Sequence, residues 1–330
     1  MNRPLAALAL AAGLTAAPVL AGSALAAGGS LVLYTSQPQT DAQGTIDAFR
    51  AEHPDIEVSF VRDGTPKIMA KLRAELEAGA PQADVLLIAD SVTMEGLKRD
   101  DVLLAHEGAD LSAYPEGLHD PAKFWFATKL ITTGIVYNEA APFVPTSWAD
   151  LTRPEAKGLV AMPSPLSSGA ALIHTVTLTG NLADGWGYYE QLKANDALAE
   201  GANGGVLKAV AGGEKLFGMI VDFMPIREQA KGAPVSFVFP EEGVSAVTEP
   251  VAILKTTQNP EAARAFVDFL VSRSGQELAA AQGYISADPA VALPEGYPAR
   301  DTIKVLPFDP AKALAEEADN RARFEAIFQP

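Results

Sequence analysis

The sequence predicts an α/β protein of two lobes, each built on a doubly wound sheet. Strand and helix patterns alternate as β-α-β-α-β across residues 31–98, and a second α/β unit begins at Leu159. Two further strand-like stretches, Leu130–Asn138 and Thr248–Leu254, lie where the chain would cross between the units. Two crossings, with the second unit inserted into the first, are typical of a hinged clamp that closes on a ligand.

These crossings set the expected domain boundaries. We expect residues 27–133 and 250–330 to form the first lobe and residues 134–249 to form the second, with Thr133-Gly134 at the hinge. A chain of 330 residues with 48% hydrophobic residues is long enough and apolar enough for two packed cores.

The first lobe shows both periodicities clearly. Ala83–Ala89 is an apolar run broken only by Asp84, as a central parallel strand should be. Lys67–Ala78 places Ile68, Leu72 and Leu76 on one helical face. The remaining predicted elements are strands at Leu31–Tyr34 and Ile56–Arg62 and helices at Asp41–Glu52 and Val92–Lys98.

The second lobe is predicted from shorter segments. Val160–Met162 and Phe217–Val221 are apolar enough for buried strands, and a helix follows each of them. The other predicted elements are helices at Ala170–Thr179, Gly185–Leu192, Val206–Ala211 and Pro225–Lys231 and a strand at Val235–Phe239. Beyond the second crossing, Pro260–Gln282 and Asp309–Phe328 are predicted to be helical.

Residues Met1–Ala26 have the character of a secretory signal peptide. Arg3 is their only charge, an Ala/Leu-rich apolar run follows, and small residues precede the end of the segment. We expect cleavage near Ala26 and export to the periplasm. A membrane anchor is the weaker alternative, because Gly13 and Pro18 interrupt the apolar run.

Composition excludes several classes of function. The formal net charge of −16 argues against nucleic acid or an anionic membrane as a partner. It leaves room for a small anion, because a local cluster of N–H donors can bind one on an acidic protein. The absence of cysteine excludes disulfides, thiolate metal sites and cysteine nucleophiles.

Four polar turns open predicted helices, and most of them follow a strand directly. Helix N-termini carry free N–H groups and partial positive charge, and ligands of open α/β sheets bind at strand ends. Each turn alone would be interpreted as a helix cap, but several facing one crevice predict a ligand site. The candidate ligand-binding residues in these turns are Ser36, Gln37, Asp90, Ser91, Ser167, Ser168, Gly169, Asn203, Gly204 and Gly205.

Charged residues near the same strand ends extend the candidate site. Asp222, followed by Phe223, is the expected acid of the cleft, with a helix cap as the alternative. Thr65 and Arg62 follow the second strand; Arg62 could pair with a phosphoryl or carboxylate group, or with a surface acid such as Glu57 or Asp63. Glu249, at the second crossing, is a candidate hinge or cleft acid.

Catalytic and metal sites are not predicted. The four histidines are scattered, and no His-x-x-x-His pair occurs. Ser167 is not in a nucleophile elbow, and His174 lies too far along the same helix to activate it. The stretch at Gly212–Lys215 fails the phosphate-loop pattern. We therefore expect no catalytic residue, no metal and no cofactor.

Six short stretches resemble the periplasmic substrate-binding proteins of bacterial ABC importers that have the type II binding-protein fold. The group most similar includes binders of ferric iron, sugar phosphates and phosphonates. The order and spacing of the stretches carry the resemblance: LYTSQ at 33–37, ADVL at 83–86, GIVYN at 134–138, PTSWADL at 145–151, FPEEG at 239–243, and NPEAA at 259–263 leading into FVDFL at 266–270. The resemblance implies a monomer that delivers a solute to a membrane permease.

The chain departs from the iron-binding members at two places. Where they resemble one another in a tandem tyrosine pair, this chain has Asp222-Phe223, and it has Gln37 and Pro38 in the first turn, where they often carry a histidine. Tyr188-Tyr189 lies in a helical stretch where packing explains it better. We therefore expect an organic anion, a phosphonate or phosphate ester, with ferric iron as the alternative. A periplasmic phosphate-ester hydrolase is the alternative from another class.

Overall fold

The computed structural model describes residues 28–329, so the expected signal peptide lies outside the described residues. Within them the chain forms two sheets flanked by helices, which confirms the predicted two-sheet α/β architecture. The strands are β1 (Gly29–Thr35), β2 (Ile56–Arg62), β3 (Val85–Leu87), β4 (Leu103–Leu104), β5 (Trp125–Ala127), β6 (Lys129–Asn138), β7 (Val160–Met162), β8 (Leu198–Ala199), β9 (Phe217–Val221), β10 (Val235–Val238), β11 (Ser245–Val247), β12 (Pro250–Leu254) and β13 (Ile285–Ser286).

Helices pack against strands of both sheets, as expected when the apolar faces of a sheet must be shielded from water. They are α1 (Gln39–Glu52), α2 (Thr65–Glu77), α3 (Ser91–Arg99), α4 (Gly169–Asn181), α5 (Trp186–Ala194), α6 (Asn203–Ala211), α7 (Phe223–Ala230), α8 (Pro260–Val271), α9 (Arg273–Ala281), α10 (Pro310–Ala315) and α11 (Glu317–Phe328). Within residues 28–329, no helix is both long and apolar enough to cross a membrane.

Each lobe is organised on one sheet. The first has the order β2-β1-β3-β12-β4, with β5 also paired to β12; β1, β2 and β3 run parallel, and β12 is antiparallel to β3. The second has the order β10-β6-β9-β7-β8, with β11 and β13 also paired to β6. All residues of β3, β9 and β12 are buried, as their continuous apolar sequences predict.

The chain changes sheets at two neighbouring points. It passes from β5 to β6 through Thr128 and returns from β11 to β12 through Thr248-Glu249. The Thr128 hydroxyl donates a hydrogen bond of 2.8 Å to the Glu249 carbonyl, which ties the two connections together. The first connection lies before Thr133-Gly134, where the sequence predicts the hinge.

Gly134 lies within the second sheet, where the neighbouring strand approaches its backbone closely. A Cβ there would come within 2.5 Å of the Val238 carbonyl oxygen on the paired strand. The small residue that suggested a hinge is therefore required by close backbone approach inside a sheet.

The C-terminal segment contacts both lobes. α10 packs against α3 of the first lobe, whereas α11 packs against α5 of the second, with Phe324 fully buried. β13 also pairs with β6 of the second sheet. The residues after α9 thus join the two lobes, although the sequence predicts them to belong to the first lobe.

The core of the second lobe holds a neutral histidine. His174 on α4 is buried, its Nδ1 lies 2.9 Å from Ser245 Oγ, and its ring packs on Trp148. Burial lowers the pKa of His174 to about 3. In the unfolded chain the same side chain titrates near about 6.5, so acid protonates the unfolded state first.

We expect His174 to make the protein acid-sensitive. Its folded pKa is depressed, so stability is lost as pH falls below the unfolded pKa, by roughly 2 kcal/mol at pH 5 from this residue. The His174→Asn variant should lose less unfolding free energy between pH 7.5 and pH 5 than the wild type in urea titrations. His53→Asn, at a partly exposed histidine, is the control; an unchanged pH dependence in His174→Asn would contradict the assignment.

Candidate functional site

A cavity of about 190 Å³ lies between the two lobes, beside the two connections. Both lobes and the second crossing contribute to its wall, which mixes polar and apolar side chains. The lining residues include Ser36, Arg62, Gly64, Thr65 and Ala89 from the first lobe, Ile131, Ser167, Ser168, Gly169, Asn203, Gly204, Phe223 and Met224 from the second, and Glu249. We call this space the cleft cavity.

Backbone contacts close the cleft cavity on one side. A Cβ on Gly169 would lie 2.8 Å from the Ala89 carbonyl oxygen and 3.0 Å from Thr65 Oγ1, both in the opposite lobe. A Cβ on Gly64 would likewise lie 2.9 Å from the Ser167 carbonyl oxygen. The lobes therefore touch through glycines, and any larger residue there would hold them apart.

Three helices point their N-termini at the cleft cavity. α2 begins at Gly64-Thr65, α4 at Ser168-Gly169 and α6 at Ala202-Asn203, and residues of all three line the cavity. The first turn of a helix has N–H groups with no partner in the helix, and its dipole favours negative charge. Three such ends therefore bring N–H donors and partial positive charge to one cavity.

Polar side chains fix the two N-termini of the second lobe. Ser168 Oγ accepts hydrogen bonds from Ala171 N and from Asn203 Nδ2, both at 3.3 Å. Asn203 Oδ1 accepts from Val221 N at 3.2 Å, so α4, α6 and β9 are held together. On the opposite wall Ser36 Oγ accepts from Ala89 N at 2.9 Å, which leaves its hydroxyl hydrogen for a ligand.

Arg62 lines the cleft cavity and forms no ion pair with any residue between 28 and 329. Its Nε donates to the Gln37 carbonyl at 2.7 Å, which orients the side chain toward the cavity. Of the two acids that the sequence offers as alternative partners, Glu57 pairs with another arginine and Asp63 with a lysine. A fork of N–H donors in this position suits phosphonate, phosphate or carboxylate oxygens.

Glu249 is the acid of the cleft cavity, and it is held by a buried ion pair. Its Oε2 lies 2.7 Å from Lys129 Nζ and 3.2 Å from Gln37 Nε2. Both charged side chains are almost fully buried, and the Lys129 ammonium also lies 4.0 Å from the centre of the Tyr284 ring. Because both partners approach Oε2, the other carboxylate oxygen remains available to a ligand.

The structure brings together eight of the predicted site residues in the cavity wall: Ser36, Thr65, Ser167, Ser168, Gly169, Asn203, Gly204 and Phe223. Gln37 lies directly behind the wall, where it bridges Arg62 and Glu249. Gly205 follows in the first turn of α6 and is not part of the wall.

Asp222 and Asp90 are helix caps rather than cavity acids, so the capping alternative holds for both. Asp222 Oδ2 accepts from Thr132 N at 3.0 Å and Oδ1 accepts from Phe223 N at 2.7 Å. Asp90 Oδ1 accepts from Val92 N at 3.0 Å. Burial raises the pKa of each carboxyl group to about 6. Their hydrogen bonds to the chain leave them turned away from the cleft.

Ser91 lies elsewhere: it lines a second cavity, on the other side of the connecting strands.

Lys129 is the site residue that the sequence pattern did not reveal. The available signal was a lysine at the start of a β-branched strand, with an acid at the start of the second crossing. Among residues 28–329, no group of three His, Cys, Asp or Glu side chains could hold a metal ion.

Comparisons with known proteins indicate the family of the chain. The family model described as bacterial extracellular solute-binding protein matches residues 80–313. An uncharacterised protein of Haemophilus influenzae is 31% identical over 83% of this chain and 80% of its own. A probable ABC transporter periplasmic-binding protein of Sinorhizobium fredii is 25% identical over 77% of this chain and 73% of its own.

Among solved structures, the periplasmic binding protein AfuA of Actinobacillus pleuropneumoniae, with fructose-6-phosphate bound, superposes with a TM-score of 0.83. It is 24% identical, and the match covers 91% of this chain and 98% of that one. At this identity the likeness concerns the fold.

We expect Lys129 to stabilise the protein chiefly by neutralising Glu249. Lys129→Met should lower the free energy of unfolding by about 3–5 kcal/mol, because it leaves a carboxylate buried without its partner. The double variant Lys129→Met/Glu249→Gln should recover most of this loss in urea unfolding. Equal losses in the single and double variants would show that packing of the lysine stem, and not charge pairing, is what matters.

Proposed function

The chain belongs to the family of bacterial extracellular solute-binding proteins, and we propose that its cleft cavity binds a small organic anion with an amino or hydroxyl group at its far end. Phosphonates and phosphate esters are the class that we assign. In the family, the solute is captured in the periplasm and passed to an ABC import permease.

The observation that carries this proposal is the convergence of three helix N-termini on one small cavity. The Thr65 N–H at the start of α2, where Pro66 has no N–H, and the N–H groups that open α4 and α6, together with Arg62, supply donors and positive potential for a tetrahedral oxyanion. A cavity of about 190 Å³ is smaller than the common range for drug-sized ligands of about 300–1,000 Å³. It therefore favours a compact solute.

Glu249 supports an amino or hydroxyl group at the other end of the solute. A carboxylate with one oxygen engaged by Lys129 can accept a hydrogen bond from an ammonium or hydroxyl group through the other. Phe223 and Met224 give the cavity an apolar side wall that can contact a short carbon chain.

Ferric iron fits this cavity less well. Hard O-donor ligands such as phenolates and carboxylates would be needed, and the cavity wall has Glu249 alone, already engaged by Lys129. Tyr188 and Tyr189 are buried in the core of the second lobe, where the Tyr188 hydroxyl donates to the Trp148 carbonyl. They cannot reach the cavity without unfolding that core.

The positions of Ser167 and His174 do not support a hydrolase. His174 is buried in the core and hydrogen-bonds Ser245, while Ser167 lies in the cleft wall. Nucleophilic catalysis requires the base to lie within hydrogen-bond reach of the hydroxyl. The cleft geometry favours binding without reaction.

Calorimetric titration with 2-aminoethylphosphonate and ethylphosphonate tests the assignment. We expect the wild type to bind both compounds, the amino compound more tightly. The double variant Lys129→Met/Glu249→Gln, which leaves no buried charge unpaired, should remove that preference, with about tenfold weaker binding of 2-aminoethylphosphonate, as expected for a lost charge-assisted hydrogen bond. Arg62→Gln should weaken both compounds.

Sugar phosphates and a ferric citrate complex complete the panel. If a sugar phosphate binds and the phosphonates do not, the ligand is still an organic oxyanion, but the group that contacts Glu249 is a hydroxyl and not an amine. Binding of the ferric complex alone would refute the proposal. Thermal stabilisation at saturating ligand provides an independent readout, since a ligand at 100 times its Kd adds about 2.7 kcal/mol to stability.

We expect Gly169→Ala to impair closure around the solute. The added methyl group would meet the Ala89 carbonyl oxygen and Thr65 across the cleft. Small-angle X-ray scattering should show a smaller ligand-induced decrease in radius of gyration than in the wild type, with saturating 2-aminoethylphosphonate. Gly205→Ala is the matched control, because a Cβ there meets nothing within 4 Å. Normal compaction of Gly169→Ala would argue against this contact.

A further inference from the structure

A second cavity, of about 370 Å³, lies behind the two connecting segments. Side chains alternate between the faces of a strand, and β6 uses this alternation to separate the cavities. Ile131 lines the cleft cavity, whereas Leu130 and Thr132 line the second one. At the other connection Glu249 faces the cleft cavity and Thr248 faces the second. We call this space the rear cavity.

Both lobes build the rear cavity. Trp125 and Leu118 come from the first lobe, and Leu130 and Ala246 come from strands of the second. The segment after β13 supplies much of the remaining wall, including Ile303 and Phe308. The wall is mainly hydrophobic, which favours a ligand with an apolar body.

Arg300 gives this apolar cavity one uncompensated charge. Its Nη1 donates to the Ser286 carbonyl at 3.2 Å and its Nη2 to the Val291 carbonyl at 3.4 Å, which leaves other N–H groups free. It forms no ion pair with any residue in the described part of the chain; the acid that influences it, Asp288, pairs instead with Arg273 at 3.2 Å. Burial lowers the pKa of Arg300 from its usual value, because the charge is partly removed from water.

A second polar residue, Thr248, also lines the rear cavity. Its hydroxyl oxygen is buried and has no hydrogen-bond partner among residues 28–329. A buried hydroxyl without a partner costs stability, and a ligand oxygen could satisfy it.

We propose that the rear cavity is a second ligand site, which binds an aliphatic carboxylate with its head group on Arg300 and its chain against the apolar wall. A carboxylate matches the planar guanidinium and brings a single charge into the cavity. A phosphate ester would bring more charge and more polar surface to desolvate against hydrophobic side chains. The site is separate from the cleft cavity and does not depend on which solute binds there.

Calorimetric titration of the mature protein with octanoate and with 1-octanol tests this assignment. The two compounds share an alkyl chain and differ in the head group. We expect octanoate to bind about tenfold more tightly than octanol, because the guanidinium contact is charge-assisted. Octanoate that fails to bind, or binds no more tightly than octanol, would overturn the proposal.

Two variants locate the site. Arg300→Gln should weaken octanoate about tenfold and leave octanol unchanged, since only the charged contact is removed. Ala246→Phe should weaken both compounds, because the ring fills the cavity from a strand position that accepts aromatic residues. Octanoate binding that survives both substitutions would place the ligand elsewhere. An unchanged far-UV circular dichroism spectrum and thermal unfolding midpoint serve as the control for an intact fold in both variants.

Discussion

The buried contact between Lys129 and Glu249 is the constraint on which the rest of this structure depends. The lysine begins β6 of the second sheet, and the glutamate immediately precedes β12 of the first sheet. Two charges this deeply buried are stable only as a pair, so the two connections must stay in register. The same pairing turns one carboxylate toward the cleft cavity. A charge that the fold needs at its crossing point thus becomes a contact that a solute can use.

Most of the polar residues that line the cleft cavity are recognisable from short sequence patterns. The residues that these patterns do not identify depend on which distant strands pair. Strand ends followed by Ser, Asn and Gly are recognisable because turn and cap preferences act within a few residues. Asp222 was misassigned because an acid at a strand end can turn either toward solvent or back to free N–H groups. Here Thr132, on a strand far away in sequence, supplies the donors. The crossing at Thr128 and the role of Lys129 likewise depend on which strands pair, which periodicity does not specify.

The approach of the two lobes at the cleft brings together both favourable contacts and helix ends of like partial charge. The glycines at the lobe contact allow the helix N-termini of both lobes to approach the same small space. That approach brings the partial positive charges of these helix ends close together, which costs electrostatic energy. Arg227 of α7 also pairs with Asp41 of α1 at 2.9 Å, an ion pair that joins the lobes beside the cleft. The closed arrangement therefore has protein contacts of its own, to which the solute adds.

The two cavities lie on opposite faces of the same connecting segments, and this arrangement has a thermodynamic consequence. A rotation of the lobes about Thr128 and Thr248-Glu249 changes the spacing of the walls on both sides, because each cavity is lined by both lobes. A ligand that fits the rear cavity in this arrangement favours it over arrangements with other spacing. By linkage, such a ligand raises the affinity of the cleft cavity for its solute, and the solute raises the affinity of the rear cavity for the ligand by the same factor. The strands that the Lys129–Glu249 pair holds in place are one route for such coupling, beside the C-terminal segment and the Arg227–Asp41 ion pair, which also join the lobes.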